Sequence, residues 1–195
     1  MDYSYKAPPY KTLREIIKKE IIPYHDGIIE AGIGNNLERY NYFRDKGYKG
    51  IYIGVDIDKR MPELGHPPAP VIIPSRLNYE VGDCFDTAFL QALLRKYDVK
   101  NPIFVTNSAL CDCLLTEHYD NHMEDAVEAL TLFKKQLHIK PAGNFPITPS
   151  RVYPPENIDN QEYKKFMKFL EESRKRGWKE SIGRNIVLLK HEHSE

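Results

Sequence analysis

Apolar positions along this chain follow two periods in alternation. Compact apolar runs mark strands, and stretches in which apolar side chains recur every third or fourth residue mark amphipathic helices. Thr12 opens the first helix, with Glu15 placed to complete a capping box and Pro23 as the stop. Its apolar stripe is Leu13, Ile16, Ile17 and Ile21. Ile28-Ile29-Glu30-Ala31 reads as a first strand, and Asn36 to Lys46 as a helix that buries Leu37, Tyr40 and Phe43 and ends at Gly47. Gly50 to Asp56 is a second, nearly all-apolar strand and Tyr79-Glu80-Val81 a short third. Asp86 caps a helix carrying Leu90, Leu93, Leu94 and Tyr97, and Ile103 to Thr106 is the fourth strand. Met123, Ala126, Val127, Leu130, Phe133 and Leu137 predict one long helix from about Asp120 to Leu137. The turn Lys140-Pro141-Ala142-Gly143 then leads into a fifth strand, Asn144 to Thr148. A helix capped by Asn160, burying Tyr163, Phe166, Met167 and Leu170, precedes a hairpin of Trp178 to Ile182 and Asn185 to Lys190 around Gly183-Arg184.

Strand and helix alternate through five strands before the hairpin. Right-handed crossovers make such a chain an α/β fold, a doubly wound, mainly parallel seven-stranded sheet with helices on both faces and a C-terminal antiparallel hairpin. A single domain is expected over residues 1–195, with 1–24 as an N-terminal arm and helix and 25–191 as the core. The arm is read as extended through Pro8-Pro9, and proline-rich 59–76 as an irregular crossover.

Composition narrows the setting. Lys plus Arg equals Asp plus Glu at 28 each, so no global charge draws the chain to nucleic acid or to an anionic membrane. Three cysteines are too few for a disulfide framework, and no apolar run approaches the ~20 residues of a membrane span. A cytoplasmic protein is expected. Lys164, Lys165, Lys168, Arg174, Lys175 and Arg176 form a basic stretch that RNA could meet, although a solubilising face is the plainer reading.

Candidate chemistry gathers where the sheet should present its carboxyl edge. Gly32 and Gly34 follow the first strand as a glycine turn, which allows positive φ and close approach of a ligand, while the next helix aims free N–H groups above it. This is the edge of a nucleotide-type site, at the place where ligands bind open α/β sheets. Asp56 ends the second strand about 22 residues after Gly34, where a carboxylate can accept both hydroxyls of a ribose; Asp58 is the alternative. Asp83 closes the third strand and can accept from an adenine amino group, while the backbone N–H of Cys84 meets a ring nitrogen. Ile57 and Phe85 can wall the base. Cys111-Asp112-Cys113 with His118 and His122 could be drawn together around a metal, but Cys-x-Cys is an unusual zinc spacing, and no metal is expected.

Glu30-Ala31-Gly32-Ile33-Gly34, then Val55-Asp56-Ile57-Asp58, then Gly82-Asp83-Cys84-Phe85 resembles the motif series of class I S-adenosylmethionine-dependent methyltransferases. Lys140-Pro141-Ala142-Gly143 is similar to that family's proline-glycine turn, and the hairpin to its reversed last strand. The resemblance covers roughly residues 25–191, with Asn36 where the family often has a third glycine. It implies S-adenosylmethionine as cofactor. Gly32 and Gly34 would approach its methionine part, Glu30 would lie near its amino group, Asp56 would bind the ribose and Asp83 the adenine, and backbone around Asn107 would face the methionine moiety. Thr106-Asn107-Ser108-Ala109 lacks the Pro-Pro-aromatic run of amino-directed members, which disfavours adenine or glutamine amino groups as acceptors.

The reading is methyl transfer to an unidentified acceptor, small molecule, protein or RNA, held by the N-terminal arm and helix, the 108–119 segment and the 145–160 loop with Arg151 and Tyr153. No catalytic base is assigned. The alternatives are a non-catalytic Rossmann-like module that binds a ligand or partner and an NAD-dependent oxidoreductase. Against the latter, Leu37 occupies the position a dinucleotide turn reserves for its third glycine.

Overall fold

A computed structural model of the chain describes residues 12–33, 37–57, 75–107, 123–139, 161–183 and 186–191. The expected arm, residues 59–74 of the expected 59–76 crossover, Asp58, the 108–119 segment with its cysteines, His118 and His122, the 140–148 turn and strand, Arg151 and Tyr153 lie outside those residues. So do Gly34 and Asn36.

The expected capping box opens the first helix: Glu15 N–H donates to Thr12 Oγ1 at 3.2 Å and Thr12 N–H to Glu15 Oε2 at 3.1 Å. After α1 (Leu13–Ile16) the helix widens into a π-turn, Ile17–Ile21, closed by Ile22 N–H donating to Ile17 C=O at 2.9 Å. Ile16, Ile17 and Ile21 are buried as their spacing predicts, and Glu20 is buried with them.

The strands β1 (Gly27–Ala31), β2 (Ile51–Asp56), β3 (Leu77–Val81), β4 (Pro102–Asn107) and β5 (Lys135–Ile139) run parallel; β6 (Trp178–Gly183) and β7 (Ile186–His191) form the antiparallel hairpin. Their order across the sheet is β3-β2-β1-β4-β5-β7-β6. Helices α2 (Glu38–Asp45), α3 (Thr87–Lys96), α4 (Met123–Ala129) and α5 (Gln161–Lys175) complete the described elements. Two apolar cores result, one on each sheet face. Ile28, Tyr52, Ile103, Val105 and Leu137 pack with the N-terminal helix and α2; Ile29, Ile53, Phe104 and Leu189 pack with α3, α4 and α5. This is the doubly wound arrangement the alternation predicts.

The fifth strand lies elsewhere than expected. The strand that pairs with β4, through Phe104↔Gln136 and Thr106↔His138, is Lys135–Ile139, inside the stretch expected to be helical; the expected strand Asn144 to Thr148 lies outside the described residues. The expected long helix to Leu137 ends accordingly at Ala129, with one 3-10 turn over Leu130–Leu132 and extended backbone at Phe133. Leu130, Phe133 and Leu137 are spaced as on a helix, whereas the strand buries both faces and places polar Gln136 and His138 on one of them. An alternation of apolar and polar residues is thereby concealed, because both kinds are inside.

At the amino edge, Asp26 accepts from Lys100 N–H at 3.0 Å and Asn101 N–H at 2.8 Å, tying the entry of β4 to that of β1. Among the described residues no helix is long and apolar enough to cross a membrane.

Candidate functional site

From β1 the chain proceeds to β2 and β3 on one side, and β4 opens the other, so the strand order reverses between β1 and β4. At such a reversal the connections leave in opposite directions and a crevice opens above the carboxyl ends. Gly32 follows β1 there, with φ of 64°. A Cβ strains that left-handed backbone, which is why the position takes glycine. The amides of Gly32 and Ile33 both donate to Val55 C=O, at 2.9 and 3.3 Å, and anchor the turn on β2. Ile33 covers Gly54, where an added Cβ would stand 2.4 Å from Ile33 Cδ1. The turn is therefore held down by a residue that β2 keeps small. α2 begins beyond it, and among the described residues no side chain caps its N-terminus at Leu37.

Glu30, one residue before the end of β1, is fully buried. Arg39 Nε donates to its Oε1 at 2.8 Å and the Tyr52 hydroxyl to its Oε2 at 2.6 Å. Burial raises the Glu30 pKa, against the opposing pull of the Arg39 charge and the Tyr52 hydrogen bond. Both carboxylate oxygens are thus engaged inside the fold, between the first turn of α2 and β2.

Asp56 and Val81 are register partners at the carboxyl ends of β2 and β3, and Gly82 N–H donates to Asp56 C=O at 3.0 Å. Asp56 and Asp83 are each half-buried. Asp83 Oδ1 accepts from Phe85 N–H at 2.9 Å and shapes the turn into α3, which Asp86 caps by accepting from Ala88 and Phe89 amides. Cys84 is a buried thiol and Phe85 lies in the core, 6.3 Å between ring centroids from Phe104. Phe85 therefore packs inward rather than forming an open wall. Ile57 and Val81 do the opposite, at 74% and 47% exposed. With Tyr24 they are the large apolar side chains left exposed among the described residues, and the two stand beside the two acids.

On the other side of the reversal, Ala31, Thr106 and His138 form one row across β1, β4 and β5. Thr106 Oγ1 lies 2.9 Å from His138 Nδ1, and His138 Nε2 lies 3.1 Å from Gln136 Oε1. With the amide oxygen toward the ring, Nε2 carries the hydrogen and Nδ1 accepts from the threonine hydroxyl. Burial pushes the His138 pKa down to about 3, so the ring is neutral. Asn107 ends β4 immediately after this row.

The partners of these groups carry no local mark in the sequence. Arg39 looks like any helix charge and Tyr52 like any strand aromatic until the fold brings both to Glu30. Thr106 and His138 are 32 residues apart in the chain. The one available signal was a polar pair at period two, Gln136 and His138, between apolar residues. On the basic face, Arg174 pairs with Glu180, Lys175 with Glu172 and Arg176 with Glu128, which leaves that end of α5 largely compensated. No cluster of three or more metal-binding side chains occurs among the described residues.

No protein-family model matches the chain, and comparison with curated proteins finds no relative. Solved structures do match. A SAM-dependent methyltransferase from Anabaena variabilis superposes with a TM-score of 0.52 at 9% identity, covering 91% of this chain and 82% of that one. An O-methyltransferase family protein from Burkholderia thailandensis gives 0.53 at 11% identity, over 93% of this chain and 56% of that one. The fold is that of class I methyltransferases. A chain of the Pnkp1/Rnl/Hen1 RNA repair complex is similar with a TM-score of 0.54 at 16% identity, covering 90% of this chain and 39% of its own length. This chain thus spans about half or less of the length of two of these three proteins. At such identities the likeness shows the methyltransferase fold and leaves the chemistry to the residues.

Proposed function

We propose that the chain transfers a methyl group from S-adenosylmethionine to an acceptor. The observation that carries the reading is the exposed apolar pair Ile57 and Val81 beside Asp56, on the carboxyl edge that also holds the positive-φ Gly32. That edge fits an adenosyl group. Aliphatic surface suits the faces of a purine, and a carboxylate at the end of β2 suits the ribose diol. Gly32 leaves room for backbone to approach the amino-acid part, with Gly34 and the backbone at Asn107 assigned to the same end. Asp83 and the backbone at Cys84 are assigned to the adenine edge.

Bound there, S-adenosylmethionine would supply an electrophilic methyl group on a sulfonium: the acceptor would attack the methyl carbon as the carbon–sulfur bond breaks and S-adenosylhomocysteine leaves. The chain's own contribution is position: a glycine turn anchored at Val55 and a row of buried polar groups below the reversal point set where the two reactants meet. The acceptor is assigned to the N-terminal arm and helix, the 108–119 segment and the 145–160 loop.

A calorimetric titration with S-adenosylhomocysteine, beside NAD, on the wild type and on Asp56→Ala tests this reading. Micromolar binding of S-adenosylhomocysteine that is lost in Asp56→Ala, with no binding of NAD, is the expected result. A well-folded protein that binds neither ligand overturns the reading and favours a non-catalytic module.

A further inference from the structure

The Glu30–Arg39 pair brackets the whole glycine turn, since residues 31–38 lie between its two members in the chain. Glu30 meets only one edge of the guanidinium, through Nε at 2.8 Å. Arg39 Nη1 and Nη2 donate to no group among the described residues. They are not sealed either: the buried side-chain atoms left without a partner there are His25 Nε2, Arg44 Nε, Gln136 Nε2 and Trp178 Nε1. The 9% of the Arg39 side chain that stays accessible therefore includes its outer nitrogens. A guanidinium is planar, stays charged, and offers each edge as a separate donor pair. One edge is locked by Glu30, which the Tyr52 hydroxyl holds from the other side at 2.6 Å. The outer edge is presented, already oriented, from the first turn of α2. Leu37 at its N-cap offers no side-chain hydrogen bond, and no described side chain caps that turn, so its amide donors add to the same positive field.

We propose that this outer edge of Arg39 receives the α-carboxylate of the ligand's amino-acid portion, while Glu30 and Tyr52 act as positioning residues that fix the arginine. The assignment rests on the adenosyl reading above. It also gives Glu30 a different task from the one its place in the motif suggests: it orients the carboxylate receptor rather than meeting the ligand. A carboxylate suits the site because two parallel N–H donors match its two oxygens.

The test compares two probes that differ in the amino-acid portion, S-adenosylhomocysteine and 5′-methylthioadenosine, titrated into the wild type, Arg39→Met and Arg39→Lys. In the wild type S-adenosylhomocysteine binds the tighter of the two. Arg39→Met is expected to weaken it by about 10- to 100-fold, the range for a lost charge-assisted contact, while 5′-methylthioadenosine binds as before. Arg39→Lys, which keeps the charge without the fork, is expected to fall between. The double variant Glu30→Gln/Arg39→Met removes both charges and gives the same discrimination without a buried carboxylate left alone. Equal losses for both probes, or no loss for either, overturn the assignment and leave the adenosine site standing. A wild type that binds neither probe, or binds NAD instead, overturns the assignment together with the reading it rests on.

Discussion

His138 shows how much a single buried side chain can report. Its folded pKa of about 3 lies below the ordinary value of 6.5, so the unfolded chain binds the extra proton. Its stabilising contribution is complete above about pH 6.5 and is lost as pH falls toward 3, at up to ~1.4 kcal/mol per pH unit. His25, also depressed by burial, adds in the same direction. Urea unfolding of the wild type should therefore show a fall in stability between pH 7 and pH 4.5. In His138→Gln the slope should be shallower by about one proton, even though the variant starts from a lower stability. An unchanged slope would mean that the ring is not buried neutral. The same residue holds Thr106 in place, one position before Asn107, so the row tunes the end of β4 without facing solvent.

The junctions between elements rest on a few complementary positions. Gly54 and Ile33 are one: in Gly54→Ala the new Cβ meets Ile33 at 2.4 Å, pushing the glycine turn off β2. Overpacking of this kind costs about 1–3 kcal/mol. The double variant Gly54→Ala/Ile33→Ala should cost less than the sum of the two single changes, measured by denaturant unfolding; strict additivity would deny the contact. Glu20 is another. Lys135 and Lys190 stand directly opposite each other on β5 and β7, an arrangement that repels, and Glu20 bridges them at 2.7 and 2.9 Å. Burial opposes ionisation of Glu20, but the two lysines outweigh it and hold the carboxyl below its usual range. Glu20→Gln should destabilise by about 1–3 kcal/mol, moderated because Lys190 is partly exposed, and Glu20→Gln/Lys190→Met should recover part of that loss. The π-turn earns its place by widening the helix where this carboxylate must face the sheet.

Across the molecule, the two edges of the sheet divide the work. The amino edge is stitched by Asp26 to the backbone entering β4, and the carboxyl edge carries Gly32, Asp56, Ile57 and Asp83. Asp26→Ala should lower the unfolding free energy by about 0.5–1.5 kcal/mol, the net worth of solvent-exposed hydrogen bonds to the Lys100 and Asn101 amides, while the dissociation constant for S-adenosylhomocysteine stays within experimental error. Asp56→Ala should do the reverse. For the wild type, S-adenosylhomocysteine at about 100 times its dissociation constant should add about 2.7 kcal/mol, read as a rise in melting temperature.

Much of this was legible along the chain. The alternation of periods determined an α/β sheet with a closing hairpin, and Thr12, Asp86 and Gly32 announced two helix caps and a turn. Each of these depends on a residue and its near neighbours, so local chemistry suffices. The fifth strand did not follow that rule, because Gln136 and His138 are buried polar residues that meet each other, with His138 also reaching Thr106 on β4 and covered by Phe169 of α5. Nor could the chain alone reveal that Glu30 spends both oxygens on Arg39 and Tyr52, that Ile33 fills the space over Gly54, or that Glu20 reconciles two facing lysines. Those are pairings between segments distant in sequence, made by strand order and register. Local sequence determined which elements form and where the ligand edge lies; only the packing of one element against another decided which polar groups serve the fold and which are left to serve a ligand.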